Sequence, residues 1–435
     1  MSEPDRTNLP IRRLPFQGVS NKTLDGSKPD WNLIGHPEAP PGSPNVLLVL
    51  IDDAGFGNPS TFGGPISTPR YTQMAETGLR YNRFHVTALC SPTRAALLTG
   101  RNNHAVGFGS IGELSSGFPG YTATVPRDCT PLPRILAENG YSTAAFGKWH
   151  LTPDGQQGAA GPFGRWPNGW GFDYFYGFLG GDSGQWDPCL AENQKIIGTA
   201  DEYYDDENPF YFPDAMADRA IEWLHGVRAQ EAHKPFFAYF STGCSHAPHH
   251  VAPEWTERYR GEFQQGWDAL RDETFARQKE LGVIPADAEL TKRHDEIPAW
   301  DDMPDELKPV LSRQMEVYAG FLEHTDHHVG RVLDAIEDLG VLEDTLVYYV
   351  LGDNGASAEG TVNGTFNETF IFNGAADLET PEFMASQIDR FGGPEAYNHY
   401  AVGWAHAMDT PYQWTKQVAS HWGGTRNGKI GRAHV

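Results

Sequence analysis

The chain has 435 residues and 39% hydrophobic content, enough for one large α/β domain or two smaller ones around a buried core. Its 33 Lys and Arg stand against 57 Asp and Glu, a formal charge of -24, which excludes a general phosphate-backbone binder and with it nucleic acid as a partner. An acidic protein that handles an anion must gather its few cations, or a metal ion, in one place.

Residues 1–44 are rich in Pro, Gly and polar groups and read as an extended arm. They hold no apolar core of signal-peptide length, and the longest apolar run, 46–51, is far too short to span a bilayer, so the expectation is a cytoplasmic protein with no membrane association. The four cysteines, Cys90, Cys129, Cys189 and Cys244, lack CxxC spacing, which points to neither a zinc site nor a disulfide framework.

From Asn45 onward, continuous apolar runs mark strands buried on both faces: NVLLVLI at 45–51, YSTAAF at 141–146, KPFFAYFS at 234–241 and TLVYYVL at 345–351. Helical patterns lie between them, notably LPRILAENG before the second run and the long segment from Glu316 to Gly340 before the fourth. Alternating strand and helix predict an α/β fold with a doubly wound, mostly parallel sheet flanked by helices. Residues 353–408 lack periodicity and carry many Gly, Asn and aromatic residues, which reads as a long loop or lid over a site.

Each predicted strand runs into a polar cluster at its carboxyl end: Asp52 and Asp53; Lys148 and His150; His246; Asp353 and Asn354. Ligands of open parallel sheets bind at that edge, so clusters distant in sequence converge on one pocket. Asp52, Asp53, Asp353 and Asn354 offer only oxygen, the preference of a hard cation such as Ca²⁺ or Mg²⁺. One Asp pair alone more often opens a turn, but two pairs on buried strands favour the cation. Lys148, His150 and His246 add donors and titratable groups suited to an oxyanion. His249 and His250 read as packed or solvent-facing, and His324, His327 and His328 as an exposed helix face.

In CSPTRAALLTGR, residues 90–101, Ser91 is a candidate N-cap, Pro92 suits the first turn and Gly100 stops the helix. Cys90 then sits at a helix N-terminus, where a thiolate is favoured. A buried structural cysteine is the competing reading.

These residues resemble the sulfatase signature CxPxR followed by TG, within the alkaline phosphatase-like superfamily. The resemblance continues through NVLLVLIDDAGFG, GYSTAAFGKWHL, LVYYVLGDNGASAEG and TPYQWTKQVASHWGGTRNG, from Asn45 to Gly428. It implies an arylsulfatase-like sulfuric ester hydrolase whose Cys90 is oxidised by a separate formylglycine-generating enzyme to Cα-formylglycine, the hydrate of which supplies the nucleophile. Pro92 and Arg94 match the positions that this enzyme reads. By the same resemblance Asp52, Asp53, Cys90, Asp353 and Asn354 hold Ca²⁺, with Mg²⁺ as the alternative. Asp353 takes the proton of the attacking hydroxyl; Arg94 holds the aldehyde hydrate; Lys148, His246 and Lys416 stabilise sulfate and leaving group; His150 deprotonates the second hydroxyl. Lys416 rests on this resemblance, and His421 is expected to be structural. The substrate is a small-molecule sulfate ester.

Members of this family continue past a segment like TRNG into a smaller C-terminal subdomain, which is expected to be largely missing, and residues 429–435 read as a non-native tail. One rival function is a phosphonate monoester or phosphodiester hydrolase on the same scaffold; another is an inactive truncated member. The presence of His150 and Lys416 together leans towards sulfate esters.

Overall fold

A computed structural model describes residues 15–35, 37–198 and 209–432. Nine strands form one sheet: β1 (Asn45–Ile51), β2 (Leu79–His85), β3 (Ser142–Lys148), β4 (Tyr174–Phe178), β5 (Leu190–Glu192), β6 (Lys195–Ile197), β7 (Phe236–Ser241), β8 (Thr345–Leu351) and β9 (Arg426–Arg432). Their spatial order is β2-β9-β8-β1-β7-β3-β4-β5-β6. The central five, β8, β1, β7, β3 and β4, are parallel, whereas β2 and β9 on one side and β5 and β6 on the other pair antiparallel.

The helices among the described residues are α1 (Pro69–Thr77), α2 (Cys90–Thr99), α3 (Leu132–Glu138), α4 (Phe212–Gln230), α5 (Pro253–Thr256), α6 (Gly266–Glu280), α7 (Lys308–Asp338), α8 (Thr369–Phe372), α9 (Pro381–Ser386) and α10 (Val402–Met408). The double winding follows from the strand period of two: Leu47, Val49 and Ile51 of β1 join a core with residues of α1, α4, α6, α7 and α10, while Leu48 and Leu50 join a second core beside α2. All four apolar runs form strands as expected, and both helical patterns form helices.

Residues 353–408 are mostly loop and carry the short helices α8, α9 and α10; α10 is buried throughout most of its length, and Trp404 meets Trp267 of α6 edge-on at 5.5 Å. His324 and His328 do not lie on an exposed face of α7 but are buried, because α4 packs on this side of the helix and brings Asp214 against both rings. Residues 429–432, read as part of a non-native tail, lie in β9 between β2 and β8; 433–435 lie outside the described residues. Of the N-terminal arm, residues 15–35 are mostly exposed. No helix among the described residues is long and apolar enough to cross a membrane.

Candidate active site

The carboxyl ends of β1, β3, β7 and β8 meet around the N-terminus of α2, and Arg94 fastens them together. Its side chain is fully buried. It donates to Asp353 Oδ2 from Nε (2.9 Å), to the Lys148 carbonyl (2.9 Å) and to Ser241 Oγ (2.5 Å) from Nη1, and Nη2 lies 2.8 Å from Asp353. One guanidinium thus holds the tips of β3, β7 and β8, which its planar fork of donors permits and a lysine could not. Gly147, at φ 95°, lets β3 and β7 approach here: a Cβ would stand 1.9 Å from the Ser241 carbonyl oxygen.

Cys90 is the first residue of α2, and the N-cap is Leu89 rather than Ser91. The Ser91 hydroxyl is buried without a hydrogen-bond partner among the described residues, and the chain enters the helix instead through Thr93, whose hydroxyl accepts from the Thr87 N–H at 2.9 Å. Gly100 ends the helix at φ 65°, as expected. Cys90 Sγ lies 3.1 Å from His150 Nδ1, and His150 Nε2 is 3.0 Å from both oxygens of Glu113. Burial alone would raise the Cys90 thiol, but Lys148 and His150 outweigh it and bring it down to about 6. Burial opposes a charge on His150, yet Cys90 and Glu113 lift it to about 9. His150 and Asp53 both have positive φ, 55° and 49°, a backbone conformation that non-glycine residues hold only where the surroundings enforce it.

Asp52, Asp53 and Asp353 are at most 1% exposed, and one carboxylate oxygen of each lies within 4.8 Å of the others. Asp52 pairs with the Lys148 ammonium, and Arg94 Nη2 stands 3.6 Å away. Although burial penalises its charge, Lys148 and Arg94 keep Asp52 well below the carboxylate range. Burial and the neighbouring Asp52 push Asp353 the other way, well above it, against the pull of Arg94. Asp53 accepts from Asn354 Nδ2 (2.7 Å) and Lys416 Nζ (2.9 Å). Asp52 Oδ1 and Asn354 Oδ1 are buried with no hydrogen-bond partner among the described residues. Three clustered carboxylates and two orphaned oxygens fit a hard divalent cation.

Lys416 Nζ also lies 2.7 Å from Glu359 Oε2 and 3.2 Å from His246 Nε2. Burial disfavours its charge, but Asp53 and Glu359 hold it well above the usual lysine value. His246 is raised too, since Asp53 and Asp52 outweigh burial and the nearby lysines. Beyond Lys416 opens a cavity of about 640 Å³ whose walls include Lys292, His294, Glu359, Trp414, Gln417 and His421. Of the candidate site residues, Lys416 and His421 line this cavity, and Lys416 joins it to the carboxylate cluster through Asp53. His421 is exposed on the cavity wall. His250 is packed, with Nε2 2.6 Å from the Ala396 carbonyl, and His249 is buried among Tyr318, His399 and Tyr400.

Glu113, Ser241 and Glu359 escaped the sequence reading. Glu359 follows the β8 tip by eight residues and belongs to the same polar run, a signal that was present; Glu113 lies in a short turn with no pattern to mark it.

A cysteine-bearing helix terminus, a buried carboxylate cluster and convergent cations thus meet at the carboxyl edge of a parallel sheet, where ligands of such sheets bind. The sulfatase family model matches residues 44–429. An uncharacterized sulfatase of Schizosaccharomyces pombe is 31% identical over 402 residues, covering 86% of this chain and 67% of that protein. The arylsulfatase of Klebsiella aerogenes is 28% identical over 415 residues, covering 89% and 82%. Among solved structures, Ps i-CgsB superposes with a TM-score of 0.57 at 20% identity, and the PsFucS1 sulfatase from Pseudoalteromonas sp. with 0.52 at 19%. Each covers 90% of this chain, which spans 66% and 62% of theirs. The chain belongs to the sulfatase family, hydrolases of sulfuric esters.

Proposed function

We propose that the pocket hydrolyses small-molecule sulfate esters of the aryl type, with Cys90 working after its oxidation to Cα-formylglycine by a maturation enzyme. The observation that carries this reading is the position of Cys90, buried at the start of α2 within hydrogen-bond distance of His150 and among the charges of Lys148, Asp52 and Arg94. Asp52, Asp53, Asp353, Asn354 and the modified residue 90 would hold Ca²⁺, or Mg²⁺ in its stead, and the bound ion would polarise a sulfate oxygen.

The protein's own groups divide the remaining work. Asp353 accepts the proton of the attacking hydroxyl, a role supported by burial having raised its proton affinity. Lys148, His246 and Lys416 hold the sulfate oxygens and the leaving oxygen as charge develops there. His150 takes the proton whose loss from position 90 releases sulfate. Its elevated basicity owes most to Cys90, so in the matured site Glu113 is the partner that keeps it oriented and basic. Asp52, Asp53, Asp353 and Glu359 face the permanent cations Arg94, Lys148 and Lys416; adding a divalent ion turns this balance slightly positive, which suits an anionic substrate. Trp414, 37% exposed beside Lys416, offers a flat apolar wall for an aromatic leaving group.

The test combines mass spectrometry of the Cys90 peptide with turnover of an aryl sulfate, an aryl phosphonate and a phosphate diester. Chain coexpressed with the maturation enzyme should carry the aldehyde and prefer the sulfate. Unmodified thiol in an active preparation overturns the formylglycine assignment, and dominant phosphonate turnover overturns the substrate assignment.

A further inference from the structure

A second polar cluster lies outside the pocket, where α4 packs on α7. Asp214 Oδ1 stands 3.0 Å from His324 Nε2 and 2.8 Å from His328 Nε2, and the two Nε2 atoms are 3.0 Å apart. The histidines occupy positions i and i+4 of α7, one above the other on the same face. Asp214 enters from the first turn of α4.

Hydrogen bonding alone does not account for this triangle. Arg331 Nη1 lies 3.2 Å from His328 Nδ1, so a neutral His328 accepts there and carries its proton on Nε2. If His324 also carries its proton on Nε2, two N–H groups confront each other at 3.0 Å. If it carries the proton on Nδ1, its Nε2 lone pair faces the Asp214 carboxylate oxygen at 3.0 Å, a repulsion that only a cation between them relieves. Protonating His324 on both nitrogens gives no relief, because its Nε2–H would still face that of His328 at 3.0 Å. Tyr211 and Trp255 wall His324 in, at ring distances of 5.2 and 4.9 Å.

Two imidazole nitrogens and one carboxylate oxygen pointing at a common centre are the ligands of a borderline divalent metal ion. For bonds of about 2.0 Å in a tetrahedron, ligand atoms stand about 3.3 Å apart, a few tenths of an ångström beyond the separations here. We infer that Asp214, His324 and His328 form a second metal site, distinct from the oxygen-rich active-site cluster, which binds Zn²⁺ or a similar ion and ties α4 to α7. The Asp214 side chain is half exposed, while its Oδ1, which faces the two histidines, is buried without a hydrogen-bond partner among the described residues. Nitrogen ligands select against Ca²⁺, so the two sites sort different metals. On binding, Nδ1 of each histidine carries the proton, and Arg331, held by Asp218 at 2.6 Å, turns away from His328.

The experiment uses the full chain without a polyhistidine tag, stripped with chelator and returned to excess Ca²⁺ before titration with Zn²⁺. One equivalent of zinc should bind despite the Ca²⁺ and raise the melting temperature by about 2–4 °C. Co²⁺ in its place should give the intense visible bands of a tetrahedral nitrogen-ligated ion. Asp214→Asn and His324→Gln should abolish the zinc equivalent and the bands while sparing aryl sulfate turnover. Asp214→Asn, at a half-exposed position, keeps the test usable should His324→Gln fold poorly. No zinc uptake by the stripped wild type, or undiminished uptake by both variants, overturns the assignment.

Discussion

The parallel centre of the sheet and its antiparallel flanks are built from different sequence and do different work. In the centre, β1, β3, β7 and β8 are apolar runs whose last residues turn abruptly polar, so strand burial and site formation are one event. On the flanks, β2 and β9 carry charge along their length: LRYNRFH and RNGKIGR. Their side chains cover the sheet, apart from Asn427 of β9, which donates to the carbonyls of Gly352 (2.8 Å) and Asn354 (2.7 Å) on either side of Asp353. If this division holds, substitutions at central strand tips change turnover with little loss of stability, and substitutions in the flanks do the reverse.

The largest effect should come from Cys90→Ala, which removes the precursor of the nucleophile. Turnover of an aryl sulfate is expected to fall by at least about 10³-fold, with the melting temperature nearly unchanged. Steady-state kinetics beside calorimetry checks both halves. Lys416→Ala should follow, with a loss of about 10²–10³-fold, the magnitude of one group that stabilises developing oxyanion charge. A drop confined to KM would instead mean that Lys416 only binds.

Ile430→Ala tests the flank. Ile430 is fully buried and pairs with Tyr349 of β8 in the ladder, so the lost contacts and the cavity should cost about 2–4 kcal/mol in urea unfolding while kcat stays put. Wild-type stability in this variant would mean that β9 does not occupy the sheet in solution.

The same division explains what was legible in the sequence. Continuous apolar runs announced four of the five parallel strands, and the abrupt polarity at their ends announced the pocket. The fifth, β4, hides in WPNGWGFDYFYGF, where glycines interrupt the pattern. β9 has one large apolar residue in seven and draws its burial from strands on either side, so no local signal could mark it. The inward turn of His324 and His328 depends on what α4 presents to α7, which periodicity does not encode. The motif resemblance supplied Lys416 and the fate of Cys90, neither of which strand-tip reasoning reached.

A smaller effect should attend Glu113→Gln. The amide keeps the shape but removes the charge that holds His150 basic and oriented, so kcat should fall about tenfold with KM steady. Because Glu113 is bound to the centre's chemistry but lies on no strand, this variant asks whether the pocket's partners extend beyond the sheet. An unchanged kcat would leave His150 to be oriented by position 90 alone.

The smallest effect sharpens the contrast from the flank side. Lys429 of β9 lies over three rings, with Nζ 4.4 Å from the centroid of Tyr348, 4.6 Å from Tyr81 and 5.2 Å from Phe84. Its half-buried stem packs on the sheet and burial lowers the ammonium's proton affinity, so the rings must supply what water no longer does. Lys429→Met keeps the stem and deletes the charge; the expected loss is about 0.5–1 kcal/mol in urea unfolding, with Lys429→Arg close to wild type. Because the charge stands on the flank, aryl sulfate kcat should be the same in all three proteins. A fall in kcat for the methionine variant alone would mean that charge on the antiparallel flank reaches the pocket, and the separation of roles between the two parts of the sheet would fail.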